Sequence, residues 1–295
     1  MGATWLYWHE NAQRISAELV RGLACDFRSV SVIGSQHGQT LACIAGNELT
    51  RRRTAAASAL AARYLAKTNA QTLLIVGTGQ VAPMLIEAHA AVRPIQRVLV
   101  WGRNPDKVKA MVDEYQDYQG AFTTITQIDA VSDLAKACAQ ADIISCATLS
   151  KEPIVRGEWL QPGCHLDLVG AFRKDMRECD GEAVARSQVF VDTWAGAKGE
   201  AGDLHQAMAE GLFSMENIHG DLEQLTRHEV FGRRSDDDIT LFKSVGASLE
   251  DLAAAIVLWE AYPKTDYPSV PFLTCADVLV CCDTFCSGQV CTHLT

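Results

Sequence analysis

Gln71-Thr72-Leu73-Leu74-Ile75-Val76-Gly77-Thr78-Gly79-Gln80-Val81-Ala82 is the stretch on which the reading of the fold turns. Apolar and β-favouring residues run straight into a glycine turn, and a helical pattern follows. That order predicts a buried parallel strand, a phosphate-binding turn and a helix N-terminus. Gly77 permits the tight turn. Gly79 has no side chain, so a pyrophosphate can approach the backbone N–H groups and the positive end of the helix. Ala82 takes the third glycine position. A plain α/β turn is the competing reading, because glycine turns between strand and helix are common. Context favours the nucleotide: a second strand, Arg97-Val98-Leu99-Val100-Trp101, ends about 20 residues after Gly79, where such folds read the ribose.

The residues after that second strand bear on the choice of nucleotide. A carboxylate there would hold the ribose 2′-OH of NAD. The chain reads Gly102-Arg103-Asn104-Pro105, with no acid until Asp106. Arg103 offers a bidentate fork to a 2′-phosphate, so NADPH is expected, with NADH as the other candidate. The competing reading is an ordinary solvated arginine at a strand end.

Working outward, strand and helix patterns alternate. Pro83 falls in the first turn of the helix after Gly79, where a missing N–H is tolerated. Pro105 opens the next helix, to about Tyr115. Further strands are expected at 121–125, 142–148, 164–170, 188–192 and 238–246, with Ser132 capping a helix over 133–141. Strands separated by helices predict a doubly wound parallel sheet, with ligands at the carboxyl ends of its strands. Those ends are Gly77, Gly102, Thr148 and Gly170. Upstream, residues 54–67 form an alanine-rich helix, residues 29–33 and 40–44 read as short strands, and residues 10–23 carry a helical face. Residues 249–262 form an apolar helix that returns to the N-terminal segment. The expected division is therefore a discontinuous second domain (1–68 with 247–262), a Rossmann-type dinucleotide domain (69–246) and an appended, weakly ordered tail (263–295).

Composition narrows the function classes. The chain has 295 residues, 48% hydrophobic and 21% charged, which fits a folded protein with a sizeable core. A formal net charge of −10 argues against nucleic acid as a main partner. No apolar run reaches membrane-spanning length and no signal-like N-terminus is seen, so a cytoplasmic protein is expected. Six cysteines are scattered singly over the first 260 residues, as buried small hydrophobes would be. The tail cysteines Cys275, Cys281, Cys282, Cys286 and Cys291 show no C-x-x-C spacing, so no zinc site is expected. The histidines form no metal array. His165 reads as core and His205 as surface, and Asp236-Asp237-Asp238 as a solvated turn.

Several motifs together resemble the ornithine cyclodeaminase/mu-crystallin family: Leu49-Thr50-Arg51-Arg52-Arg53-Thr54-Ala55-Ala56-Ala57, Gly77-Thr78-Gly79-Gln80, Glu152-Pro153-Ile154, Val169-Gly170-Ala171, Glu200-Ala201-Gly202-Asp203 and Leu241-Phe242-Lys243-Ser244-Val245-Gly246. The resemblance covers roughly residues 41–262. It implies a Rossmann domain, a substrate and dimerisation domain at 1–68 with 247–262, a homodimer, and nicotinamide-dependent chemistry on amino or imino acids. By this resemblance Arg53 holds the substrate carboxylate. Its position at the head of the alanine helix would also suit an anion. Thr54, Gln80, Val81, Asn104, Lys107, Thr148, Leu149, Val169, Ala171, Ser244 and Val245 join Gly77, Gly79, Gly102 and Arg103 along the cofactor.

Two departures shape the expected activity. Cyclodeaminases of the family carry an aspartate where this chain has Ala171, and ketimine reductases have Gly-Ala there. No lysine precedes Lys67 to share the carboxylate with Arg53. The expected function is NADPH-dependent reduction of a cyclic ketimine such as Δ1-pyrroline-2-carboxylate or Δ1-piperideine-2-carboxylate, giving proline or pipecolate. The alternatives are amino-acid dehydrogenation or ornithine cyclisation within the family, and a catalytically weak NADPH- or small-ligand-binding protein.

Overall fold

The structure, a computed structural model, describes residues 29–33, 40–117, 124–261 and 272–273. The chain divides into two compact units, with boundaries at Arg53/Thr54 and Gly246/Ala247. The expected helix at 10–23 and the tail cysteines lie outside the described residues.

The larger unit is built on eight strands: β3 (Thr72–Val76), β4 (Arg97–Trp101), β5 (Gln127–Ala130), β6 (Ile143–Cys146), β7 (His165–Leu168), β8 (Gln188–Val191), β9 (Ile218–Asp221) and β10 (Thr240–Lys243). Their order across the sheet is β5-β4-β3-β6-β7-β10-β8-β9, and every pairing is parallel. The continuous apolar runs follow from burial on both faces. Leu74 and Val76 face one core while Leu73 and Ile75 face the other. The chain runs outward from β3 through β4 to β5, then returns to β6 on the other side of β3. The reversal between β3 and β6 is the switch point at which such sheets bind ligands.

The alanine-rich helix α1 spans Gly46–Leu65, starting eight residues before the expected point. Ala55, Ala59 and Ala62 lie a turn apart and pack with Leu73 and Ile75, as a smooth alanine face allows. The C-terminal carbonyls of α1 would be orphaned in this setting. Arg93 Nη2 caps Ala62, Arg63 and Ala66 at 2.7, 2.8 and 3.1 Å, and Arg233 Nε caps Leu65 at 2.7 Å. Because this half of α1 belongs to the sheet, the unit boundary falls at residue 53 and not at 68.

In the smaller unit, β1 (Ser29–Ile33) pairs antiparallel with β2 (Thr40–Ala45), and β11 (Phe272–Leu273) adds in parallel to β2. Part of the expected appended tail therefore joins this sheet. Helix α9 (Ser248–Ala261) packs Ala255, Val257 and Leu258 with Ile44 and Leu49.

Two local expectations shift. Of the strand expected at 121–125, residues 121–123 lie outside the described residues, and the strand that pairs with β4 is Gln127–Ala130. The helix α4 (Leu134–Cys138) is capped by Asp133, whose carboxylate accepts from Lys136 N at 3.0 Å, and not by Ser132. Asp and Ser cap equally well, and the chain's entry angle selects between neighbours. Cys138, Cys146, Cys164 and Cys179 are buried and unbridged, as expected for small hydrophobes. His165 is fully buried, while His205 is half-buried rather than superficial, its Nε2 3.0 Å from Lys198 O.

Candidate nucleotide site

The turns after β3, β6, β7 and β10 lie side by side, because those four strands are consecutive in the sheet. Gly77 N donates to Trp101 O at 2.8 Å, which ties the glycine turn to the end of β4. Gly77 has φ +125°, and a Cβ there would lie 2.6 Å from Ala147 O. The turns after β3 and β6 thus approach as closely as backbones can. Gly79 is different: a Cβ there would meet only Ala147 O, at 4.0 Å, so the space over it is open. Helix α2 (Ala82–Val92) follows, with Pro83 in its first turn, no acid in that turn and no side-chain cap. Ala82 N donates to Gly79 O at 3.2 Å, so the open turn over Gly79 runs directly into the N-terminus of α2, an arrangement that suits a pyrophosphate.

Gly102 sits at the end of β4, where a Cβ would lie 3.0 Å from Thr78 Cγ2 and from Val108 Cγ2. A side chain there would crowd both methyl groups, and Arg103 is the exposed cation that follows. Asn104 Oδ1 accepts from Asp106 N (3.0 Å) and Lys107 N (3.2 Å), capping α3 (Pro105–Asp117). Lys107 is exposed on that helix.

On the other side of β3, Leu149 is 65% exposed and Val169 half-buried, at the ends of β6 and β7. Ala171 is fully buried with φ +47°, a left-handed conformation that costs a residue with a Cβ. Ser244 and Val245 are held by Asp192, whose Oδ2 accepts from Val245 N (2.8 Å), Gly246 N (2.7 Å) and Ser244 Oγ (3.4 Å). Their backbone is fixed in place, with the Ser244 hydroxyl turned inward.

Glu178, Asp203 and Lys243, all fully buried, lie beneath these turns. Glu178 accepts from Thr148 N (2.6 Å), Thr148 Oγ1 (2.8 Å) and Gly170 N (2.7 Å). Asp203 Oδ1 accepts from Glu178 N (2.6 Å) and Cys179 N (3.1 Å), and its Oδ2 lies 3.2 Å from Lys243 Nζ. Lys243 also donates to Gly170 O and to Leu168 O. Sequence reasoning did not single out Glu178. An acid ten residues past the end of β7 gives no periodic signal, and only the fold brings it under Thr148.

In the smaller unit, Arg53 is the eighth residue of α1 and so does not head the helix. Its Nε donates to Asp251 (2.7 Å) and its Nη1 to Glu250 (2.8 Å), the acids of the first turn of α9. Arg51 and Arg52 both pair with Glu48. The three arginines are therefore not a uniform solvated patch. Thr54 continues α1, half-buried, in the larger unit. Among the described residues no group of three or more histidines, cysteines or acids could hold a metal, and no helix is long and apolar enough to cross a membrane.

Buried titrating groups set an expected pH profile. Burial pulls His165 down to about 3, below its ordinary 6.5. Between those values the unfolded chain binds a proton that the folded chain refuses, so stability is lost as pH falls. Burial pushes Glu178 up, opposed first by Lys243 and by the bonds it accepts from Thr148. The Thr148 N–H, the Thr148 hydroxyl and the Gly170 N–H all need an acceptor on its two oxygens and so favour the carboxylate. Melting temperature should therefore fall as pH drops from about 6.5 towards 3 through His165, which melting curves against pH would check.

Residues 20–266 match the ornithine cyclodeaminase/mu-crystallin family. An uncharacterized protein of Schizosaccharomyces pombe is 47% identical over 234 residues, covering 77% of this chain and 70% of that protein. A Δ(1)-pyrroline-2-carboxylate reductase of Colwellia psychrerythraea is 40% identical over 229 residues, covering 78% of this chain and 71% of its own. Among solved structures, the Thermococcus litoralis Δ(1)-pyrroline-2-carboxylate reductase in complex with NADH and L-proline is 34% identical. It superposes with a TM-score of 0.75, covering 79% of this chain and 70% of that one.

Proposed function

Given that the chain belongs to the ornithine cyclodeaminase/mu-crystallin family, we propose that it reduces Δ1-pyrroline-2-carboxylate or Δ1-piperideine-2-carboxylate with NADPH, forming L-proline or L-pipecolate. It is an oxidoreductase of C=N bonds that uses a nicotinamide cofactor. The finer reading rests above all on Gly170-Ala171 at the end of β7. The residue there is a fully buried alanine, where cyclodeaminases of the family place an aspartate. An ammonium substrate would lose its charge partner at that point, whereas a cyclic imine has no need of one.

The chain's own groups divide the work. The turn Gly77–Val81 and the first N–H groups of α2 hold the pyrophosphate, and Arg103 takes the 2′-phosphate. The backbones at Thr148–Leu149, Val169–Ala171 and Ser244–Val245 support the nicotinamide half. Arg53 takes the substrate carboxylate. Two of its five N–H donors are spent on Glu250 and Asp251, and these bonds orient the remaining fork. The cofactor, when bound, would supply a hydride to the C=N carbon, while the nitrogen takes one proton from solvent to give the amine. Fixing the carboxylate sets the distance and angle of that carbon, which is where much of the rate enhancement arises.

The test is steady-state oxidation of NADPH and NADH with each cyclic imine, beside ammonia release from ornithine with NAD. Imine reduction with NADPH preferred is the expected result. Ornithine turnover at a comparable rate would replace this reading with cyclodeamination, and nucleotide binding without turnover would replace it with a binding role. Arg103→Ala should weaken NADPH roughly ten- to a hundredfold through loss of one charge-assisted bond, and NADH little. Equal losses for both nucleotides would remove Arg103 from cofactor selection.

A further inference from the structure

Three features set the buried carboxylate under the site apart from ordinary core. First, it is expensive. Glu178, Asp203 and Lys243 are fully buried, and apolar residues of similar volume are commonly as stable or more so. Second, its bonds go to turns and not to strands. The side chain of Glu178 serves Thr148 and Gly170, each two residues past the end of its strand. β6 and β7 are already joined by their own ladder and do not need it. Third, the contact is close. A Cβ on Gly170 would lie 2.5 Å from Glu178 Oε1, so the carboxylate rests directly on the turn backbone.

The arrangement reaches the glycine turn as well. Thr148 Cγ2 lies 3.3 Å from where a Cβ on Gly77 would stand. Lys243 extends it on the other side, since it immediately precedes Ser244 and Val245 and bonds Gly170 O. The turns after β6, β7 and β10 are thus held on one buried cluster.

We propose that Glu178 is the positioning residue of the nucleotide site: by holding the Thr148 N–H, the Thr148 hydroxyl and the Gly170 N–H on one carboxylate, it fixes the two turns in the relative register that the nicotinamide half of the cofactor requires. The proposal rests on the nicotinamide reading above. Glu178 touches no cofactor atom in this account. It acts through Thr148 and Gly170, and Asp203 fixes it by accepting from its backbone N–H. Glu178→Gln keeps the size but turns an NH2 towards one of the three donors, so one bond becomes a donor–donor contact.

The experiment is titration of the purified full-length protein with NADPH and with NADH, followed by nucleotide fluorescence, with melting curves of the nucleotide-free proteins in parallel. Glu178→Gln should weaken both nucleotides by the same factor, roughly ten- to a hundredfold. Thr148→Ser, which keeps the hydroxyl, should bind within about twofold of wild type, whereas Thr148→Ala should weaken binding. In the double variant Glu178→Gln with Thr148→Ala, the losses should fall short of their sum, because both changes break one connection. A purely structural role would lower the melting temperature and leave the affinity of the folded fraction unchanged. Wild-type affinity in Glu178→Gln, or additive losses in the double variant, would overturn the proposal. Should Glu178→Gln fail to fold, Thr148→Ala against Thr148→Ser carries the test, and equal affinity in those two would be equally decisive against it. If wild type binds neither nucleotide, the nicotinamide reading itself falls. Binding by wild type with no loss in the variants removes only the role of Glu178.

Discussion

Gly77→Ala should weaken nucleotide binding severely and lower stability together. The φ of +125° is open to glycine and costly for a residue with a Cβ, by about 1–3 kcal/mol. The added methyl would stand 2.6 Å from Ala147 O, a backbone atom at the end of the neighbouring strand. No rotamer relieves that contact, so β3 and β6 must separate at their ends, at a further cost of about 1–3 kcal/mol. The separation occurs at the switch point itself. With every 1.4 kcal/mol equal to a factor of ten, an affinity loss of about a hundredfold or more is expected for NADPH and NADH alike. Gly79→Ala is the control. Its methyl meets only Ala147 O at 4.0 Å, so the nucleotide-free melting temperature should hold while nucleotide affinity falls, because the methyl occupies the pyrophosphate approach. Melting curves with and without nucleotide separate the two cases. If Gly77→Ala binds NADPH as wild type does, the glycine turn is not the phosphate cradle.

Arg53→Lys should raise KM for the cyclic imine roughly ten- to a hundredfold, with NADPH affinity unchanged. A lysine keeps the charge but presents one compact ammonium in place of a planar fork. It cannot serve Glu250, Asp251 and a substrate carboxylate with the same geometry. Arg53 and its two partners are each largely shielded from water, with side-chain exposures of 12%, 15% and 8%. The substitution should therefore also cost about 1–3 kcal/mol of stability. Steady-state kinetics beside a NADPH titration distinguishes the effects. Unchanged KM and kcat with lowered stability would make Arg53 a structural residue that only ties α9 to α1.

The sheet was readable because burial on both faces of a parallel strand leaves uninterrupted apolar runs, such as Leu73–Val76 and Val98–Val100. The glycine turn was readable for a different reason: few residues tolerate its backbone. Short polar strands were harder. Gln127–Ala130 carries one buried apolar residue and Ile218–Asp221 pairs only through β8, so their sequences differ little from loop. The early start of α1 was hidden because Gly46, Asn47 and the arginines 51–53 break the alanine pattern. Helicity there is supported by the packing of Leu49 and the pairing of Glu48 with two arginines. At the site, the turns at Gly77, Gly102, Thr148 and Gly170 follow from strand ends alone, whereas Ser244 entered only through the family motif. The buried carboxylate network beneath them does not, because its members are 25 to 65 residues apart in sequence and meet only through sheet order: Glu178 to Asp203, and Glu178 to Lys243.

The pairing of Arg53 with Glu250 and Asp251 joins residues 197 and 198 positions apart. The smaller unit draws its described core from both ends of that interval, with Ile44 and Leu49 before it and Ala255 and Leu258 after it. During synthesis at about 5–20 residues per second, the acids emerge roughly 10–40 s after the arginine. Through that time the β1–β2 hairpin has neither its helix nor its parallel third strand, while the intervening sheet has all of its own segments. A ribosome-bound chain stalled before residue 247 would therefore hold every strand of the eight-stranded sheet, while the β1–β2 pair would still lack α9 and β11.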